Sequence, residues 1–174
     1  MNMYVAYFLL FISIVLSGLT VFTVKTVNRK FLKLLLSFSG AYLFALTVLH
    51  LIPEIYRSGN DSIGIFIFIG FFLQIILEVF SEGIEHGHVH VHHHKHAAFP
   101  LGMMIGLCLH SYLEGMPLVQ RFADASTRNS LLTGIILHHI PVAIALVSML
   151  LQSGVNKWNA FFFLLLFGLR FGRS

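Results

Sequence analysis

Six apolar runs, at residues 3–24, 31–56, 62–80, 98–119, 130–151 and 159–169, are separated by short stretches that hold most of the charges. A helix crosses a bilayer with about 20 apolar residues, so the first five runs are long enough and the sixth is short. The pattern predicts an all-α, polytopic transmembrane helix bundle of about six helices. Residues 1–174 are read as a single transmembrane domain. The first run follows Met1-Asn2-Met3-Tyr4 without a basic region or a small-residue cleavage pattern, so it is expected to persist rather than be removed as a signal peptide. The closing Arg170 and Arg173 would head outward on an alternating topology, against the usual charge bias. With the short sixth run, they lead to the expectation that the chain is a C-terminally truncated or frame-shifted version of a longer one.

Composition supports the membrane reading. Hydrophobic residues make up 57% of the chain and charged residues only 10%, against about 25% charged in a soluble domain. The net charge of +4 is spread over the loops, which argues against a nucleic-acid surface and for a role in orientation. Lys25, Arg29, Lys30 and Lys33 form the densest basic cluster and place the first loop in the cytoplasm. On that topology Lys95 and Lys157 also lie inside, whereas Arg57, Arg121 and Arg128 lie outside. The lone Cys108 excludes an intramolecular disulfide.

Polar residues inside the apolar runs carry the chemistry. An ionisable group at mid-membrane loses several kcal/mol of solvation unless a partner, water or a metal compensates it. His110 and Glu114 sit four residues apart in the fourth run, on nearly the same helix face. His138-His139-Ile140-Pro141 interrupts the fifth run at its midpoint, the same depth. Adjacent residues on a helix diverge by about 100°, so one of the two histidines is expected to face His110 and Glu114 and the other a neighbouring site. A further pair, His50 and Glu54, flanks Pro53 in the second run. That proline removes a backbone donor and should make the helix locally irregular. Glu78, Glu82 and Glu85 share one helical face at the end of the third run, as either a solvated helix end or an exit path. Beyond them His86, His88, His90, His92, His93, His94 and His96 fill a His-rich loop at 85–97, expected to be cytoplasmic and to buffer metal loosely. Met103 and Met104 are read as packing residues.

Imidazole with carboxylate suits zinc, iron(II) or manganese, and a partly ligated site can release its ion. The residues therefore favour a carrier whose substrate is a divalent transition-metal cation, with no prosthetic cofactor. A membrane-embedded zinc-dependent hydrolase is the alternative, since a metal-bound water is also a nucleophile. It lacks a His-Glu-x-x-His helix, and Glu114 would have to be both ligand and base. Axial haem ligation is disfavoured by the carboxylates beside the histidines.

On these residues the chain resembles the ZIP family of divalent-metal transporters. The likeness rests on His50-Leu51-Ile52-Pro53-Glu54, the His-rich loop, His110-Ser111-Tyr112-Leu113-Glu114-Gly115 and His138-His139-Ile140-Pro141, in that order, and covers about residues 3 to 169. The resemblance implies an eight-helix fold, of which this chain holds five helices and part of a sixth. It also implies import of zinc or a related cation to the cytosol by an elevator-like or rocking motion, with Pro117 and Pro141 kinking the metal-holding helices. Its metal positions fall on His110, Ser111, Glu114, His138, His139 and Val142. Ser111 replaces an Asn, His139 an acid and Val142 a His or Glu, so a second metal would lose ligands while His110, Glu114 and His138 remain. A bacterial inner (plasma) membrane is the expected location, and a homodimer is left open.

Overall fold

The computed structural model describes residues 3–24, 27–57, 59, 61–80, 101–119 and 125–169. Every regular element among them is helical. In chain order these are α1 (Met3–Thr23), α2 (Arg29–Leu46), α3 (Ile52–Tyr56), α4 (Ile63–Phe80), α5 (Leu101–Gly115), α6 (Ala125–Gln152) and α7 (Lys157–Leu169). Three helical stretches are long and apolar enough to cross a membrane: Tyr4–Thr23, Arg29–Tyr56 and Ser126–Gln152. The stretches Ile63–Val79 and Lys157–Leu169 are apolar but shorter. The described residues are thus all-helical, and the three candidate membrane-spanning segments among them point to a membrane protein.

Local chemistry explains the boundaries. The side chain of Asn28 accepts hydrogen bonds from the backbone N–H groups of Lys30 and Phe31, capping α2. Asn156 does the same for α7 through the N–H of Asn159 at 2.8 Å. At the end of α6, Gly154 takes φ +81°. Its N–H bonds to the Leu151 carbonyl, and that of Val155 to Leu150, closing a Schellman turn that a Cβ would strain. Within α1 the hydroxyls of Ser13, Ser17 and Thr20 donate to carbonyls one turn back at 2.8, 2.7 and 2.6 Å, so none requires water.

The irregularity expected at Pro53 is a π-turn over Thr47–Leu51, where the Ile52 N–H reaches back to the Thr47 carbonyl. It joins α2 to the short α3. Pro117 lies in a 3₁₀ turn, Met116–Val119, that follows α5. α6, by contrast, runs through Pro141 as one element of 28 residues.

The buried core gathers around α6, which packs against α1, α2 and α7. Leu10 and Ile14 of α1, Ile135, Leu146 and Leu150 of α6, and Leu164 and Phe167 of α7 have no exposed surface. α4 packs on α5, whose Met104, Leu107 and Cys108 join this core. The fifth run was expected to begin at 130; α6 starts five residues earlier because Ala125–Asn129 continue the helix despite their polarity.

Candidate metal centre

Three side chains from two helices converge. His110 and Glu114 of α5 and His138 of α6 each offer one ligand atom, and these atoms lie within 4.8 Å of one another. The i, i+4 spacing brings His110 Nε2 to 3.8 Å from Glu114 Oε2. Both atoms are buried and outside hydrogen-bonding geometry, although each residue is engaged elsewhere. A cavity of about 400 Å³ opens on the cluster, walled by α2 between Leu36 and Phe44 and bounded by Gln74, His110, Glu114 and His138. At about 30 Å³ per water it has room for a cation with several waters. Four-coordinate zinc with bonds of about 2.0–2.1 Å places its ligand atoms about 3.3 Å apart. The cluster is thus wider than a closed structural site and would draw in by up to about 1.5 Å on binding.

α6 approaches α2 closely enough to complete this wall because residue 134 is glycine. A Cβ there would lie 2.7 Å from Leu43 Cδ2 and 2.8 Å from Tyr42 Cε1. One turn further along α6, His138 Nδ1 meets Ser39 Oγ at 3.1 Å. The pairing of 134 with 42–43 and of 138 with 39 runs in opposite order, so α2 and α6 are antiparallel. On the other side of the cluster, His110 Nδ1 lies 3.0 Å from Gln74 Oε1 of α4.

The two adjacent histidines of α6 have different surroundings. His138 borders the cavity, whereas His139 is 1% exposed and stacks on Phe167 of α7, with ring centroids 5.8 Å apart and planes at 24°. His139 Nδ1 donates to the Ile135 carbonyl at 2.9 Å, so Nε2 carries the lone pair and accepts the Ser111 hydroxyl at 2.8 Å. With both ring nitrogens used by the protein, His139 ties α5 to α6 and α7. Ser111 is its hydrogen-bond donor. Glu114 Oε2 lies 3.7 Å from His139 Nδ1, so the carboxylate sits between the two environments.

Of the remaining sequence candidates, His50 is exposed on the π-turn and Glu54 half-buried on α3; neither belongs to the cluster. His86, His88, His90, His92, His93, His94 and His96 lie outside the described residues, as do Glu82 and Glu85. Glu78 is half-buried near the end of α4, and Val142 is buried in the core. Sequence reasoning missed Gln74 and Ser39. Gln74 carried a usable signal, as the amide in an otherwise apolar run from Ile63 to Leu77. Ser39 carried little, because membrane helices use serine freely. No family model matches the chain, and comparisons with curated proteins and with solved structures find no match.

Proposed function

We propose that this protein carries a divalent transition-metal cation, zinc foremost and iron or manganese as neighbours, across a membrane toward the cytosol. The observation behind this reading is the convergence of His110, Glu114 and His138 beside a cavity between apolar helices. Two neutral imidazoles and one carboxylate leave a divalent ion with net charge +1 and open positions for water. That is a weak, exchangeable site, as carriage requires, rather than the closed four-ligand set of a structural zinc. The donors come from facing helices, and a relative shift of α5 and α6 would open the set and release the ion. The resemblance to ZIP transporters belongs to this proposal: it supplies the direction of transport and the eight-helix architecture.

The test is uptake of radioactive zinc by vesicles holding the protein, together with zinc binding to the purified chain. Glu114→Ala and His110→Ala should each abolish uptake and weaken binding at least tenfold, with His50→Ala close to the parent. Undiminished uptake and binding in Glu114→Ala would overturn the assignment. Peptide or ester hydrolysis that depends on zinc and on Glu114 would favour the enzyme reading instead.

A further inference from the structure

Three histidines in one small volume, His138 and His139 buried and His110 half-buried, are held by hydrogen bonds of different origin. His139 takes its Nδ1 partner from its own helix, the Ile135 carbonyl. His110 and His138 take theirs from helices that carry none of the clustered ligands, Gln74 of α4 and Ser39 of α2. A neutral imidazole carries one N–H, and only the other nitrogen can bind a metal. The Gln74 amide oxygen has no proton, so its 3.0 Å contact places the proton on His110 Nδ1. Ser39 has a single hydroxyl proton, directed at the Leu36 carbonyl at 3.1 Å. With its proton there, its lone pair is left to accept from a His138 Nδ1–H at 3.1 Å. Both rings are set in the Nδ1–H tautomer with the lone pair on Nε2; for His110 that is the nitrogen that faces Glu114.

Resting on the reading of His110, Glu114 and His138 as an ion site, we propose that Ser39 and Gln74 are positioning residues that tie cation affinity to the docking of α2 and α4 against α5 and α6. Outer acceptors on metal-binding histidines orient the ring, hold the tautomer and raise ligand basicity, and losing one costs about 10–100-fold in affinity. The α2–α6 seam at Gly134 brings Ser39 within reach of His138, while the α4–α5 pairing holds Gln74 at His110. Withdrawal of either helix removes an acceptor without touching a ligand, so separation of the helices lowers affinity before the ligands part. His139, anchored within its own helix and by Ser111, keeps its orientation throughout and is the internal control.

The experiment uses the full chain in detergent with histidines labelled with nitrogen-15. Without metal, His110 and His138 should show the Nδ1–H pattern; an Nε2–H pattern in either overturns the proposal, whatever the variants do. Zinc affinity is then measured for Ser39→Ala and Gln74→Leu, with cobalt(II) spectra as a reporter of the ligand set. Each variant should bind about 10–100-fold more weakly with an unchanged saturated cobalt spectrum. Ser39→Thr and Gln74→Glu, which keep an acceptor oxygen, should recover affinity. In Ser39→Ala the tautomer of His138 should be released while that of His139 stays. Affinity within twofold of the parent in both Ser39→Ala and Gln74→Leu, with binding lost in His110→Ala, would sink the positioning role alone. Unchanged binding in His110→Ala would sink the ion site beneath it.

Discussion

α4 and α6 are both apolar helices, yet they have opposite fates. α4 is the more uniformly apolar: from Ile63 to Phe80 its strongly polar side chains are Gln74 and Glu78. Most of its large side chains are exposed all the same, including Phe66, Phe71 and Val79. α6 carries Ser, Thr, Asn, two His and a Pro, yet 67% of its most apolar stretch is buried. Apolarity marks a segment as fit for hydrocarbon, but a lipid tail satisfies that demand as well as a neighbouring helix does. What draws helices together in a membrane is close packing at small residues and hydrogen bonds between polar ones. α6 has both, at Gly134 and at His138 and His139; on α4 Gln74 meets His110 of α5.

That contrast can be broken by substitution, beginning where the effect should be greatest. Leu146→Ala in the fully buried face of α6 should cost about 2–5 kcal/mol, the range for a Leu→Ala cavity, read as a lower unfolding midpoint in detergent. Next is Gly134→Val, whose methyls would drive into Leu43 and Tyr42 at about 3 kcal/mol, the upper end for overpacking. The same variant should weaken zinc binding, because it parts Ser39 from His138; stable protein with lowered affinity would sharpen the link between the seam and the site. Ser111→Ala should cost about 1–2 kcal/mol by leaving a buried acceptor on His139 unmet, with zinc affinity retained within a few fold. A large loss of zinc binding there would make Ser111 or His139 a ligand. The smallest effect is expected for Phe71→Ala on the outer face of α4, within about 0.5 kcal/mol as for exposed sites elsewhere. A cost equal to that of Leu146→Ala would show that this face is packed against protein.

The helices themselves were largely legible in the sequence. Expected boundaries for α1, α4 and α7 fall within two residues of those observed, and those of the second run match α2 to α3 because charges and Gly–Asn turns end the apolar stretches abruptly. The irregularity at Pro53 followed from a missing N–H. α5 was less accessible: the expected run began at 98, while the described helix begins at Leu101 and the residues before it lie outside the described set. The candidate site was legible as a depth match between His110, Glu114 and the His138–His139 pair. Helix spacing alone left open which of those two histidines faces the cluster, since both lie at the same height; the resemblance put His138 with His110 and Glu114. His50 and Glu54 resemble the cluster in spacing, but His50 is exposed on the π-turn and Glu54 lies on α3, and neither joins it.

A helical chain with apolar segments, and costly imidazole and carboxylate groups near the middle of two of them, could be read from the residues alone, because the solvation of single side chains and the spacing along one helix are local properties. Packing of the helices was needed to show His138 on the cavity with His139 spent on Ser111, Ile135 and Phe167, and Ser39 and Gln74 behind the clustered histidines. Rotation of one helix against its neighbours is set by where side chains of one find room on the other, here Leu43 and Tyr42 over Gly134, and no segment carries that information without its partner.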